Sequence, residues 1–290
     1  MPFVPAHQTS LNDMVKVLLK EEVSFLEVAG VRVRFIASRQ GDGIPLLLTC
    51  PWPESIFAFN FIWADMCRLG PVIAVDLPGF GQSEASKALM SPEAMGDFVM
   101  ELMPAIGLTR AHVVAPDVGT LAVLFAASKR PDLFESIVAG SGAVSMDLLG
   151  DPLAQIVASR HSDFEGGDGG DQVVALVSAT ARVPIAPEVL EDYRAASKGQ
   201  RWNDAAEFVR AYPAELPRLA AALSGIKTPV LAISGSDDPF VPPSNGEFLR
   251  DNLPHCKAEV VEAGHFVWED ASTTYARLVS NWIGGGYRFA

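Results

Sequence analysis

AHVVAPDVGTLAVLFAAS (residues 111–128) decides the fold. A short apolar run ends at Pro116, Asp117 follows, and after Val118 and Gly119 the sequence turns helix-forming. Ala115 and Gly119 place a small residue two positions to either side of Asp117. That spacing lets a strand turn sharply into a helix and leaves the middle side chain exposed at the strand's tip. The free N–H groups and positive dipole end of the helix then lie beside that side chain. An aspartate at a strand–helix junction is also a common helix N-cap, so the rest of the chain has to distinguish the two roles.

Short, nearly continuous apolar runs recur on both sides of this junction: IPLLLTC (44–50), PVIAVD (71–76), ESIVAG (135–140), TPVLAISG (228–235) and AEVVEA (258–263). Such runs read as strands buried on both faces of a parallel sheet. Helix-like segments at 55–68, 92–106, 119–129, 243–253 and 270–283 separate most of them, the alternation of a doubly covered α/β fold. Upstream, SFLEV (24–28) and VRVRFIAS (31–38) meet at Ala29-Gly30 and predict an antiparallel hairpin, with Arg32 and Arg34 on its wet face. Ser10 predicts the N-cap of a short leading helix.

From 147 to 218 the rhythm breaks. No strand-like run occurs, FEGGDGGDQ (164–172) reads as an exposed loop, and helices are expected around 187–198 and 203–211. The expected organisation is a core of residues 1–146 and 219–290. A helical cap, 147–218, is inserted over the C-terminal edge of the sheet, where ligands bind in open α/β folds.

Composition narrows the function classes. The chain has 290 residues, 49% of them hydrophobic, and a formal charge of −13. An acidic surface repels phosphate backbones and anionic headgroups, so neither nucleic acid nor membrane is an expected partner. No apolar run reaches the roughly 18 residues of a membrane span, and the first residues lack the pattern of a secretory signal. Three cysteines, Cys50, Cys67 and Cys256, form no CxxC pair and no zinc spacing, which fits a reducing cytoplasm. There is no dinucleotide fingerprint, P-loop or metal cluster, so no cofactor is expected.

The order of motifs resembles the α/β-hydrolase superfamily, in particular its aspartate-nucleophile branch of epoxide hydrolases and haloalkane dehalogenases. The resemblance runs from about residue 24 to 285. AVDLPGFGQSE (74–84) is similar to the family's Asp-x-x-Gly-x-Gly-x-Ser loop through Asp76, Gly79, Gly81 and Ser83. SGSDDPFVPP (234–243) is similar to its acid loop and EAGHFVWED (262–270) to its histidine loop. The resemblance implies Asp117 as nucleophile, His265 as base and Asp238 as the acid that orients it, with Asp237 the alternative acid. It implies an oxyanion site formed by the N–H groups of Trp52 and Val118. An aspartate of ordinary pKa near ~4 is already ionised at neutral pH and needs no base to attack carbon. The histidine would then serve the second step, hydrolysis of the alkyl ester.

The chain departs from the branch in two places. The usual His-Gly-x-Pro of the oxyanion loop is here Cys50-Pro51-Trp52-Pro53, and Val118 stands where dehalogenases carry a halide-binding tryptophan. Epoxide hydrolases protonate the opening oxygen with cap tyrosines. The cap offers Tyr212 and, alternatively, Tyr193, with Trp202 also lining the site and His161 or Ser162 as substitutes. Epoxide hydrolysis is therefore the leading expectation, on a small hydrophobic organic substrate, by a monomer or homodimer. The alternatives are carbon–halogen hydrolysis, a cofactor-free biosynthetic enzyme of the same fold, or a non-catalytic binding protein.

Overall fold

A computed structural model describes residues 18–290; the helix cap expected at Ser10 lies outside them. The centre is one eight-stranded sheet. Its strands are β1 (Ser24–Val28), β2 (Val31–Ser38), β3 (Leu46–Thr49), β4 (Val72–Val75), β5 (Ala111–Val114), β6 (Phe134–Ala139), β7 (Val230–Gly235) and β8 (Cys256–Val261). They lie in the order β1-β2-β4-β3-β5-β6-β7-β8. The first two pairings are antiparallel and those from β4 to β8 are parallel. The β1–β2 turn holds Ala29 at φ 51° and Gly30 at φ 75°. Positive φ at both turn residues matches the twist of a tight two-residue hairpin.

β3, β5 and β7 are buried at every position, as their unbroken apolar sequences require. β8 departs from that expectation. It is the edge strand, and Lys257, Glu259 and Val260 are exposed, Val260 at 54%. An edge strand has no neighbour or helix to cover its outer side, whatever its composition. The helix Val118–Lys129 is buried from Val118 through Ala127; it is apolar all round because it is enclosed all round. It crosses the helix Pro92–Ala105 at Gly96, where a Cβ would stand 2.8 Å from Ala122 O and 2.8 Å from Phe125 Cβ.

Between β6 and β7 the chain forms helices only: Asp151–Ala158, Gly169–Thr180, Pro187–Ser197, Arg201–Ala205, Glu207–Arg210 and Tyr212–Ala222, with short 3-10 turns. FEGGDGGDQ is an open loop only in its first half. Asp168 caps the helix that begins at Gly169, and Gly169 and Gly170 are buried against Ser197 and Arg194. Without Cβ atoms the two glycines let that helix approach the neighbouring backbone, which overrides their low helix propensity.

Arg34 is the other correction. Strand alternation places it with Arg32 on a wet face, yet it is 2% exposed. The insertion covers this end of β2. Arg34 binds Asp192 of the helix Pro187–Ser197 through both terminal nitrogens, at 2.6 and 2.9 Å, and Asp76 through Nε at 2.5 Å. Asp76 also accepts N–H groups from Ile56 and Gln82, at 2.8 Å each. Arg201 completes the contact by donating to Gly81 O and Ser83 O, each at 2.9 Å. The loop motif 76–83 is thus the seat on which the helical insertion is fixed.

Candidate active site

Asp117 sits at the turn between β5 and the helix that follows, at φ 55°, ψ −125°. A non-glycine residue in this region costs of order 1–3 kcal/mol, and such strain gathers where a side chain must be aimed. Packing enforces the turn. Asp117 N donates to Gly140 O at 2.8 Å and Thr120 N to Asp117 O at 3.0 Å. A Cβ on Gly119 would collide with Thr49 Oγ1, and one on Gly142 would come within 2.6 Å of Asp117 O. The carboxylate makes no cap to its own helix turn, which removes the simple N-cap role.

The carboxylate is instead held across the loops. Asp117 Oδ2 accepts the N–H of Trp52 at 2.6 Å, and the Val118 N–H also stabilises its charge. Asp117 Oδ1 lies 3.8 Å from His265 Nε2. His265 Nδ1 meets Asp238 Oδ2 at 2.8 Å. Asp238 Oδ1 accepts the N–H groups of Phe240 and Val241, both at 2.9 Å, which fixes the acid's orientation. Asp237 points outward to Arg182 at 2.7 Å with its side chain 63% exposed; Asp238 is therefore the residue that meets the histidine. Five residues expected from the sequence, Asp117, His265, Asp238, Trp52 and Val118, converge in one place.

Electrostatics refine the expectation for Asp117. Burial raises its pKa to about 6, against the lowering effects of His265 and of the Trp52 and Val118 N–H groups. It is still largely ionised at neutral pH. Burial pulls the His265 imidazolium pKa down, but the Asp238 and Asp117 carboxylates outweigh it and the net shift is upward.

Above this group lies a pocket enclosing about 530 Å³ of empty space, part of it open to solvent. Its lining joins Asp117, His265 and Trp52 to Tyr212, Trp202 and Phe240, an apolar chamber with few polar groups. Trp202 stacks on Trp52 with ring centroids 5.5 Å apart. Tyr212 is 2% exposed, and burial followed by the Asp117 charge pushes its phenol well above the ordinary value; it stays protonated. Tyr193 does not reach the pocket lining. Its hydroxyl donates to Glu269 at 3.1 Å, because its face of the helix Pro187–Ser197 turns toward the core. His161 pairs with Asp204 at 2.9 Å and lines a separate surface groove, and Ser162 is exposed.

Sequence reasoning missed the support for this arrangement. Ser141, at φ 47°, donates to His265 O at 3.1 Å. Gly142 makes room for the Asp117 backbone. Neither carries a local signal, since both are defined by chain segments more than twenty residues away.

Fold and site together define the class: the chain has the α/β-hydrolase fold. Residues 71–175 match the family described as alpha/beta hydrolase fold. The chain is similar to a soluble epoxide hydrolase from Corynebacterium sp. (strain C12), 26% identical over 271 residues, covering 84% of this chain and 90% of that protein. It is also similar to a 2-hydroxy-6-oxononadienedioate/2-hydroxy-6-oxononatrienedioate hydrolase from Burkholderia vietnamiensis, 29% identical over 222 residues, covering 73% and 76%. Among solved structures, the haloalkane dehalogenase DatA from Agrobacterium tumefaciens C58 superposes with a TM-score of 0.75 at 20% identity, over 91% of this chain and 96% of that one. Among the described residues no helix is long and apolar enough to cross a membrane.

Proposed function

We propose that the protein hydrolyses an epoxide through a covalent ester on Asp117. The observation that carries this reading is the division of labour between the two carboxylate oxygens. Oδ2 is held by the Trp52 N–H, while Oδ1 lies 3.8 Å from His265 Nε2 in a residue that lines the pocket. Oδ1 attacks a ring carbon, the C–O bond of the epoxide breaks, and Tyr212 gives its proton to the leaving oxygen. Aspartate, unlike serine, has no proton to lose and needs no base for this step.

Esterification removes the Asp117 charge. One of the three carboxylates that raise the His265 pKa, beside Asp238 and Asp270, loses its charge, which favours the neutral imidazole when water must be activated. His265 takes a proton from water, the hydroxide attacks Asp117 Cγ, and the resulting oxyanion forms on Oδ2, already held by the Trp52 N–H. Collapse breaks the ester C–O bond, the His265 imidazolium protonates the departing alkoxide to give the diol, and the acid proton left on Asp117 returns to the Tyr212 phenolate, restoring carboxylate and phenol. Asp238 holds the imidazole tautomer throughout. In this reading residues 147–218 act as a lid that supplies Tyr212 and Trp202 and excludes bulk water.

Carbon–halogen hydrolysis uses the same ester and is the second reading. Trp52 Nε1, in the pocket lining, is buried without a partner, and it is a donor available to a leaving halide, whereas the Val118 side chain has none.

The test is a His265→Gln variant mixed with aromatic and aliphatic epoxides and with haloalkanes, followed by peptide mass spectrometry. An adduct on the Asp117 peptide that retains the epoxide oxygen is the expected result. An adduct formed with loss of halide moves the assignment to dehalogenation. A folded variant that gives no adduct with any electrophile ends the covalent reading.

A further inference from the structure

Two carboxyl groups that the reaction does not use lie between the loop after β3 and the loop after β8. Glu54 and Glu269 are 1% and 2% exposed. Glu54 Oε2 accepts Trp268 Nε1–H at 3.1 Å, and Glu269 Oε1 accepts the Tyr193 hydroxyl at 3.1 Å. Their remaining oxygens, Glu54 Oε1 and Glu269 Oε2, are buried without a hydrogen-bond donor. Trp268, next to Glu269 in the chain, binds Glu54, which brings the two carboxyls into one buried contact where each acts on the other's ionisation. Ionised carboxylates only accept hydrogen bonds, so this contact in a dry site requires a proton between them.

We propose that Glu54 and Glu269 share one proton, and that this acid–carboxylate bridge is a positioning device that holds the Trp52 N–H on Asp117. The proposal rests on the role given to the Trp52 N–H above. Its argument is one of connection. Glu54 is two residues from Trp52, Glu269 four residues from His265, and Tyr193 belongs to the helix Pro187–Ser197 of the insertion. Ser55 adds a second tie to that helix by donating to Asp192 Oδ2 at 3.1 Å. A single proton therefore joins the oxyanion loop, the histidine loop and the insertion.

The groups facing the pair make its second ionisation unfavourable. Asp117 from the elbow, Asp270 beside Glu269, and Asp192 next to Tyr193 are all acidic. Arg34 is already bound by Asp76 and Asp192, and His265 by Asp238. Among the described residues neither glutamate has a cationic partner. Burial, and for Glu54 also the neighbouring Glu269 charge, pushes both carboxyls up, Glu269 to about 7. Because the folded values lie above the unfolded ones, the pair keeps at least one proton at neutral pH, and the stabilisation that proton gives is lost as pH rises through the folded values. Two facing carboxylates then drive the Trp52 loop away from Asp117.

Glu54→Gln tests this, because an amide can accept from Trp268 and donate to Glu269 without a titrating proton. Three readouts are compared with wild type. At neutral pH wild type shows the infrared carbonyl stretch of a protonated carboxylic acid, and the variant lacks that band. Amide exchange in the peptide spanning residues 50–56, corrected for intrinsic rate, loses at least about tenfold protection in wild type between pH 6 and pH 9, the equivalent of one pKa unit of coupling; it does not change in the variant. Styrene oxide turnover falls on the alkaline side in wild type, and that limb is absent in the variant. An unchanged infrared band, or a parallel loss of protection in both proteins, overturns the bridge. Glu269→Gln supplies the same comparison if Glu54→Gln does not fold. Infrared and exchange need no turnover, so the bridge and the covalent reaction fail separately.

Discussion

Replacing Asp117 by asparagine keeps the shape of the elbow, because asparagine tolerates positive φ better than most residues, and removes one negative charge 3.8 Å from His265 Nε2. Both side chains are largely buried, at 7% and 11% exposure. At an effective dielectric constant of about 20, unit charges at that separation interact by about 4 kcal/mol, and one tenth of solvent access reduces this further. Even half of that energy, about 2 kcal/mol, exceeds the ~1.4 kcal/mol that corresponds to one pH unit. The titration midpoint of His265 in Asp117→Asn is therefore expected to fall by more than about one pH unit. The assay is an NMR titration of imidazole nitrogens in protein labelled at its five histidines, with the His265 signal assigned by His265→Gln. Mass spectrometry of the Asp117 peptide confirms that the amide is intact. A midpoint that stays in place or rises would refute the electrostatic link on which the timing of the second step depends. The alkylated enzyme should show the same fall, since the ester is also neutral.

Other consequences follow from the same contacts. Formation of the Asp117 adduct should slow as pH drops through about 6, because burial raises the pKa of the attacking carboxylate to that value and only the ionised form attacks; stopped-flow tryptophan fluorescence or quenched mass spectrometry reads this, and a rate flat to pH 4.5 contradicts it. Tyr212→Phe should leave urea stability within about 1 kcal/mol and reduce epoxide opening by about 10²–10⁴-fold, while leaving any haloalkane reaction much less affected. Arg34→Met leaves Asp76 and Asp192 buried without their cation and should cost about 3–5 kcal/mol in urea unfolding. Gly81→Ala places a Cβ against the Asp76 carboxylate at a φ of +51°, and a thermal melt should show a loss of at least about 2 kcal/mol.

Much of this protein was legible in one dimension. The β5–Asp117–helix junction carries its own geometry, because a strand cannot turn into a helix within two residues unless small side chains flank the turn. The apolar runs of β3, β5 and β7 report burial on both faces directly. The placing of Asp117, Asp238 and His265 at the ends of β5, β7 and β8 follows from the same pattern, since parallel strands bring their C-terminal ends to one edge. What escaped were facts that depend on a second segment. Arg34 reads as a surface residue until the insertion folds over it with Asp192. Tyr193 and Tyr212 are both cap tyrosines by sequence, and only helix orientation sends one to Glu269 and the other to the pocket.

Local sequence determined the order of elements, the sharp elbow and the residue types available for chemistry, because periodicity and turn sterics act over a few neighbours. Tertiary structure alone decided the ionisation of those residues. Burial raises the Asp117 carboxyl to about 6 against the lowering effect of His265, and Glu54 meets Trp268, beside Glu269, only because loops more than 200 residues apart in sequence close on each other. Charge in a protein is set by distance and dielectric, and both are properties of the folded chain.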